Sequence, residues 1–102
     1  MLFIESTAFQ REREKLLDEE AFRALQNEII AQPEKGKLIR GSGGLRKVRF
    51  GLKGRGKSGG VRVIYYLVVS ARTVYLLDLY AKSEQATLAL EAVRIVRKRL
   101  EE

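Results

Sequence analysis

The chain has 102 residues, 45% of them hydrophobic, and a net charge of +7, which suits a single compact domain over residues 1–102 with a modest core. It contains no cysteine and no histidine, so disulfide bonds and the usual zinc sites are excluded, and we expect neither a metal nor a cofactor. Its apolar runs are shorter than the roughly 18–20 residues that cross a bilayer, and Glu5 comes too early for a signal peptide. We therefore expect a cytoplasmic protein that does not bind membranes.

The spacing of the apolar residues predicts seven elements in the order β-α-α-β-β-β-α. Two polar residues, Ser6 and Asp18, stand where the N-caps of the first two helices are expected. Because short connections join the last three strands, we expect a small antiparallel β-sheet with helices packed on it, which is an α+β fold. The predicted bounds are 2–4, 45–52, 61–69 and 73–82 for the strands, and 8–17, 19–32 and 84–100 for the helices.

The middle of the chain is basic and rich in glycine. All nine glycines and eight of the lysines and arginines fall within residues 36–60, and residues 35–77 contain no acid. Residues 1–35, by contrast, carry five basic and eight acidic groups, a balance of −3. Dense cationic charge binds phosphate backbones by releasing their counterions, and glycine lets a backbone approach a ligand closely. The pattern predicts a nucleic-acid-binding protein with an oriented electrostatic face.

Residues 51–58, with the sequence GLKGRGKS, match the phosphate-loop motif G-x-x-x-x-G-K-[ST]. That motif binds nucleotides because a helix begins at its lysine and directs backbone N–H groups at the phosphates. Here a β-branched strand follows a basic loop at 53–60 instead, so we expect no ATP or GTP site.

Basic side chains are predicted to meet on one face of the sheet. With a period of two, Lys47 and Arg49 lie on the opposite face of their strand from Arg46. The single Arg62 in the next, apolar strand needs an acidic or phosphate partner, and Asp78 is one candidate. If the strands pair in order, their cations converge on one concavity.

The tyrosines are candidate stacking platforms for unstacked bases. Tyr65, Tyr66 and Tyr80 could each take this role, although one of the neighbouring pair Tyr65 and Tyr66 must face the core.

The last predicted strand ends in polar residues. A period of two places Asp78, Tyr80 and Lys82 on the face that also carries Val74 and Leu76, so the polar side chains should emerge at one edge or groove. The alternative is that Tyr80 is a half-buried core residue and Lys82 a solvated strand end.

Three segments resemble the RelE superfamily of bacterial toxins, nearest its HigB-like branch. They are GGLRKVR at 43–49, GGVRVIYY at 59–66 and YLLDLYAKSE at 75–84, and the predicted element order and the length also fit that family. The resemblance implies a RelE-like α+β toxin domain that a cognate antitoxin, a helix-turn-helix protein, holds inactive. It further implies that the free toxin enters the ribosome and cleaves mRNA there, and that operator DNA is reached only through the antitoxin.

The resemblance also suggests site residues. Lys47 and Arg49 match basic strand positions of the family, Arg62 matches its strand arginine, and Lys82 matches the lysine at the end of its last strand. Ser83 stands where some members have an arginine, and aliphatic residues near Ala89 replace a catalytic tyrosine, for which Tyr80 is the candidate substitute. We therefore predict Lys47, Arg62, Tyr80 and Lys82 as catalytic residues, and Arg46, Arg49, Lys53, Arg55 and Lys57 as contacts to RNA or the ribosome.

Ribonuclease chemistry is feasible without histidine. A 2′-OH attack needs a base, stabilisation of the crowded phosphorane and protonation of the leaving 5′ oxygen. A lysine can act as the base where neighbouring cations lower its pKa from about 10.4. Lys47 and Lys82 are the two candidates for that base, and Arg62 suits a bidentate contact with the scissile phosphate.

The sequence thus predicts a metal-independent, ribosome-dependent mRNA endoribonuclease, the toxin of a toxin–antitoxin pair. Two alternatives stay open. One is a non-catalytic RNA- or ribosome-binding module, for which charge and glycine content argue equally well. The other is an inactive toxin relative that acts through a DNA-binding antitoxin.

Overall fold

The computed structural model describes residues 1–52 and 56–81, and it confirms the predicted α+β fold. Five strands form one sheet, and the two described helices pack against one of its faces. The predicted last helix at 84–100 lies outside the described residues. The elements are β1 (Leu2–Glu5), α1 (Thr7–Leu16), α2 (Glu19–Ala31), β2 (Lys37–Leu38), β3 (Leu45–Leu52), β4 (Gly56–Val68) and β5 (Thr73–Ala81).

Both predicted N-caps are confirmed, at Ser6 for α1, which begins one residue earlier than predicted, and at Asp18 for α2. The Ser6 hydroxyl accepts a hydrogen bond from the backbone N–H of Phe9 at 3.0 Å, and Asp18 Oδ1 accepts one from the N–H of Ala21 at 2.7 Å. These caps satisfy N–H groups that the first helical turn leaves without partners. Apolar residues of the helices and of the facing strands then form the main core: Phe9, Leu17, Leu25, Ile29, Val48, Phe50, Val61, Val63, Tyr65, Val74, Leu76 and Leu79.

The sheet has the strand order β1-β5-β4-β3-β2 and is mixed rather than wholly antiparallel. Strands β3, β4 and β5 pair antiparallel and in order, as predicted. However, β1 lies parallel to β5, with Leu2 opposite Thr73. The lengths of the connections between β3, β4 and β5 carry no information about a strand so distant in the chain. The two-residue strand β2, which pairs with β3, is not predicted either.

A β-bulge in β5 changes which side chains share a face. Ile64 of β4 lies opposite Asp78, whereas the next residue of β4 lies opposite Leu76, so Leu77 is an extra residue. Leu76 packs in the helix-side core, while Leu77 and Tyr80 pack together on the other face. The prediction that Leu76, Asp78 and Tyr80 share a face is therefore wrong, because an inserted residue shifts the phase of the alternation.

Strand β4 begins at Gly56, inside the segment predicted as a loop at 53–60. The motif residues Gly56, Lys57 and Ser58 therefore lie on a strand, and the helix start that a phosphate loop requires is not found at Lys57. The prediction that this motif is not a nucleotide site is consistent with that geometry. Further along, Gly60 lets β3 and β4 approach closely, since a Cβ there would lie 2.1 Å from the Phe50 carbonyl oxygen.

Candidate functional site

One row of side chains crosses the three central strands on the face opposite the helices. Arg49 of β3 lies opposite Arg62 of β4, and Arg62 lies opposite Tyr80 of β5. Side chains directly opposite each other on antiparallel strands point to the same face, with Cβ atoms about 4.5–5.5 Å apart. Two arginines and a tyrosine from separate parts of the chain are thus brought into contact range.

A second row runs beside the first. Lys47 lies opposite Ile64, which lies opposite Asp78, and on the outer side Lys37 of β2 lies opposite Lys47. We call the surface formed by Lys37, Lys47, Arg49, Arg62 and Tyr80 the cationic face. The cations of β3 and β4 are neighbours in the sheet, as predicted, while the predicted cation of the last strand, Lys82, lies outside the described residues. The bulge brings Asp78 to the same side.

Arg62 is the most enclosed cation of the cationic face. It is only 8% exposed, whereas Lys47 and Arg49 are exposed. Its Nη1 donates a long hydrogen bond of 3.5 Å to the Val61 carbonyl. The ion pairs among the described residues lie elsewhere, and they join Arg13 to Glu5, Lys15 to Glu12 and Lys35 to Glu28. A guanidinium in this position suits an anionic ligand, because it carries five donors in a rigid fork.

Tyr80 lies opposite Arg62 on the neighbouring strand. Burial raises the pKa of the Tyr80 hydroxyl, the negative charge of Asp78 raises it further, and the positive charge of Arg62 opposes the shift. The hydroxyl therefore keeps its proton at neutral pH and can donate a hydrogen bond. Asp78 accepts a hydrogen bond at Oδ1 from the backbone N–H of Leu79 at 2.9 Å.

Tyr65 is the member of the neighbouring tyrosine pair that faces the core. It is fully buried; its hydroxyl donates to the Pro33 carbonyl at 2.8 Å and accepts from the Gly36 N–H at 3.0 Å. Tyr66 is half-buried and packs against the apolar cluster around Ile64 on the other face. Of the two, Tyr66 is the one left as a candidate for stacking.

Arg46 is separated from the other predicted RNA contacts. Its side chain donates from Nη1 to the carbonyls of Glu34 and Gly36, at 3.0 and 2.8 Å. It is half-buried and projects to the helix side of β3, away from Lys47 and Arg49. Its charge therefore anchors the segment after α2 and does not extend the cationic face.

The other predicted site residues are Lys53, Arg55, Lys57 and Lys82. Lys53, Arg55 and Lys82 lie outside the described residues, and Lys57 is on strand β4. Lys37, by contrast, belongs to the cationic face but is not predicted, because a two-residue strand shows too little alternation to be recognised. Within residues 1–52 and 56–81 no three metal-binding side chains cluster. Neither described helix is long and apolar enough to cross a membrane.

The fold is that of RelE. No protein-family model matches the chain, but solved structures do. A free E. coli RelE toxin with two arginine-to-alanine substitutions has a TM-score of 0.61 at 17% identity, covering 94% of this chain and 95% of that one. The isolated E. coli RelE toxin also gives 0.61 at 17%, covering 92% and 97%. A chain of the intact E. coli RelBE toxin–antitoxin complex gives 0.60 at 19%, covering 82% and 98%. At these identities the likeness defines the RelE-like fold.

Proposed function

We propose that this protein is the toxin of a toxin–antitoxin pair, of the HigB-like branch, and that it cleaves mRNA on the ribosome. The observation that carries the proposal is the row Arg49–Arg62–Tyr80 beside Lys47. It combines a buried guanidinium suited to a phosphate, a protonated hydroxyl and exposed cations on one face of a RelE-like fold. Charge alone would support RNA binding, whereas this combination supports chemistry at a phosphate.

The chemistry follows from these groups. A lysine, Lys47 or Lys82, takes the proton of the RNA 2′-OH, and the 2′ oxygen then forms a bond to phosphorus. Arg62 binds the equatorial phosphate oxygens and stabilises the charge that develops on them. The bond from phosphorus to the 5′ oxygen breaks, and that oxygen gains a proton. Tyr80 is a hydrogen-bond donor to the phosphate or to the leaving oxygen, since its raised pKa keeps the hydroxyl protonated.

The partners follow from the same proposal. The cationic face binds mRNA and ribosomal RNA in the cytoplasm, with Lys53, Arg55 and Lys57 as further phosphate contacts. A cognate antitoxin of the helix-turn-helix class blocks this face and links the protein to operator DNA. The E. coli RelBE structure is a toxin–antitoxin complex of a protein with this fold, which supports an antitoxin partner here.

The ends of the RNA products test the reaction. Purified protein added to ribosomes programmed with mRNA should produce a 2′,3′-cyclic phosphate and a 5′-OH, and brief EDTA treatment of stalled complexes should not stop cleavage. Products with a 3′-OH and a 5′-phosphate would contradict this scheme, because those ends arise from attack by water, usually with metal assistance.

The same assay separates the alternatives. Binding to ribosomes without any cleavage would favour the non-catalytic module. Absence of both ribosome binding and cleavage, with tight binding to a helix-turn-helix antitoxin, would favour the inactive relative. Ser83 and the aliphatic residues near Ala89 already argue for that alternative.

A further inference from the structure

The cationic face has an outer pair of lysines, Lys37 and Lys47, and only Lys47 has a role in the proposed reaction. Lys37 and Lys47 lie directly opposite each other on β2 and β3, and both are exposed. Like charges at directly opposite positions destabilise a sheet. The ion pairs found among the described residues involve neither lysine. An anion between the two ammonium groups would remove this repulsion.

Lys37 is also held in place from both sides. Just before it, the backbone of residues 33–36 is tied to the sheet by Tyr65 and Arg46 through four hydrogen bonds of 2.8–3.0 Å. Gly36 is buried so closely under the Tyr65 ring that a Cβ there would lie 2.8 Å from it.

Just after Lys37, hydrogen bonds of Ile39 and Ser42 fix the connection between β2 and β3. The Ile39 N–H donates to the Leu45 carbonyl at 2.8 Å, and the Ser42 hydroxyl donates to the Ile39 carbonyl at 2.6 Å. The backbone on each side of Lys37 is therefore fixed, and its side chain starts from a defined position beside Lys47.

We infer that Lys37 forms a second phosphate site, which holds a phosphodiester of single-stranded RNA next to the one bound by Arg62. This inference rests on the proposed function and extends it. Lys47 and Arg49 are two residues apart, which is roughly 6.7 Å along a strand, so the rows of Lys37 and Arg62 lie side by side across the same face. A strand of RNA lying across β4, β3 and β2 meets Arg62 first and Lys37 at the sheet edge. Lys37 supplies the positive charge there whether or not Lys47 acts as the base.

The salt dependence of binding tests this site. The probe is a fluorescent single-stranded RNA with 2′-O-methyl groups throughout, which cannot be cleaved, so the result does not depend on catalysis. Lys37→Ala should weaken binding about two- to fivefold, as for an exposed ion pair, and should lower the slope of log affinity against log salt by about 0.7. Lys37→Arg should keep the wild-type slope. Arg23→Ala, which removes one exposed cation from α2 on the other side of the sheet, is the charge-matched control and should also keep it. An equal fall in slope for Arg23→Ala would overturn the inference, and so would unchanged binding of Lys37→Ala both to this probe and to ribosomes.

Vacant ribosomes distinguish the source of the phosphate. Weaker binding of Lys37→Ala to the oligonucleotide assigns the site to the mRNA strand, and weaker binding only to vacant ribosomes assigns it to ribosomal RNA. No loss with either one overturns the inference. The proposed function is tested separately, by whether Arg62→Ala abolishes cleavage.

Charge reversal gives a readout that misfolding cannot imitate. Lys37→Glu places opposite charges at facing positions, so its melting temperature should rise by a few degrees while RNA binding falls below that of Lys37→Ala. A melting temperature below that of the wild type would show that the side chains of Lys37 and Lys47 are not close enough to repel each other. That result would contradict the inference.

Discussion

Single residues of the basic run in β3 have different roles although they are neighbours. Arg46 hydrogen-bonds to backbone carbonyls on the helix side, while Lys47 and Arg49 are exposed on the cationic face. Because side chains alternate along a strand, such a run cannot present all its cations to one ligand. A count of basic residues therefore overstates how many cations one face of β3 can present, and the strand register identifies Lys47 and Arg49 as the pair on the cationic face.

Arg62 is the residue whose loss should matter most. Arg62→Ala should lower the single-turnover rate of mRNA cleavage on programmed ribosomes by about 10²–10³, the range for removing one main stabiliser of a developing oxyanion. Arg62→Lys should recover part of that loss, since it keeps the charge but not the bidentate fork. Both variants should melt cooperatively and keep the wild-type circular dichroism spectrum. Folded Arg62→Ala protein that cleaves at the wild-type rate would remove Arg62 from the active site.

At the scale of elements, a hydrogen bond joins the N-cap of α1 to the β-bulge of β5. The Ser6 hydroxyl caps α1 and also donates to the carbonyl of Leu77, the extra residue of the bulge, at 2.8 Å. The bulge in turn determines that Asp78 and Tyr80 lie on the cationic face. The start of the first helix therefore supports the geometry of the last described strand.

Ser6→Ala tests this connection. It should lower the free energy of unfolding by about 1–2 kcal/mol, since it removes an N-cap and a partner of a buried carbonyl, and it should also slow cleavage by altering the position of Tyr80. Asp18→Ala is the matched control, because Asp18 caps α2 and is exposed. It should cost about 1 kcal/mol and leave the cleavage rate unchanged. Equal effects of the two variants on cleavage would show that the bond to Leu77 does not position the site.

The elements also show how far the sequence determines the fold. The caps at Ser6 and Asp18 are predicted because a polar N-cap before an apolar stripe is a local signal. The sequence does not predict the bulge at Leu77, the strand β2 or the parallel pairing of β1 with β5, since each depends on contacts between distant segments. For the site, alternation in β3 and the single Arg62 predict that Arg49 and Arg62 are neighbours, whereas the face on which Tyr80 lies depends on the bulge. The position of Lys37 requires the backbone anchoring by Tyr65 and Arg46, which no local pattern indicates.

For the whole molecule, two buried tyrosines make the free energy of unfolding depend on pH in the alkaline range. Burial raises the pKa of both Tyr65 and Tyr80 above the value of about 10 for a free tyrosine. The folded state thus keeps these protons at a pH where the unfolded chain releases them. Their contribution to stability is complete below about pH 10 and is lost as the pH rises through the folded-state values.

Denaturant titrations between pH 8 and pH 12 can measure this effect. The free energy of unfolding should fall above about pH 10, and Tyr80→Phe should make that fall less steep. Tyr65→Phe should also flatten the curve, but it should lower stability at pH 8 by about 1–3 kcal/mol because the Gly36 N–H and Pro33 carbonyl lose their partner. Curves that stay parallel to the wild type in both variants would show that the two hydroxyls do not control alkaline unfolding.

The parallel pairing of the first and last described strands has a consequence for biosynthesis. β1 is synthesised before the other described strands, yet its neighbour among them is β5, and the Ser6 N–H and hydroxyl donate hydrogen bonds to the carbonyls of Leu76 and Leu77. A nascent chain that stops before residue 73 has no strand with which β1 can pair as it does here, and no Tyr80 beside Arg62. The pairing of β1 and the central row are therefore completed only after residue 80 has been synthesised. Under the proposed function, this order of synthesis protects the ribosome that makes the protein, because a chain that has not reached β5 has no assembled row of Arg49, Arg62 and Tyr80.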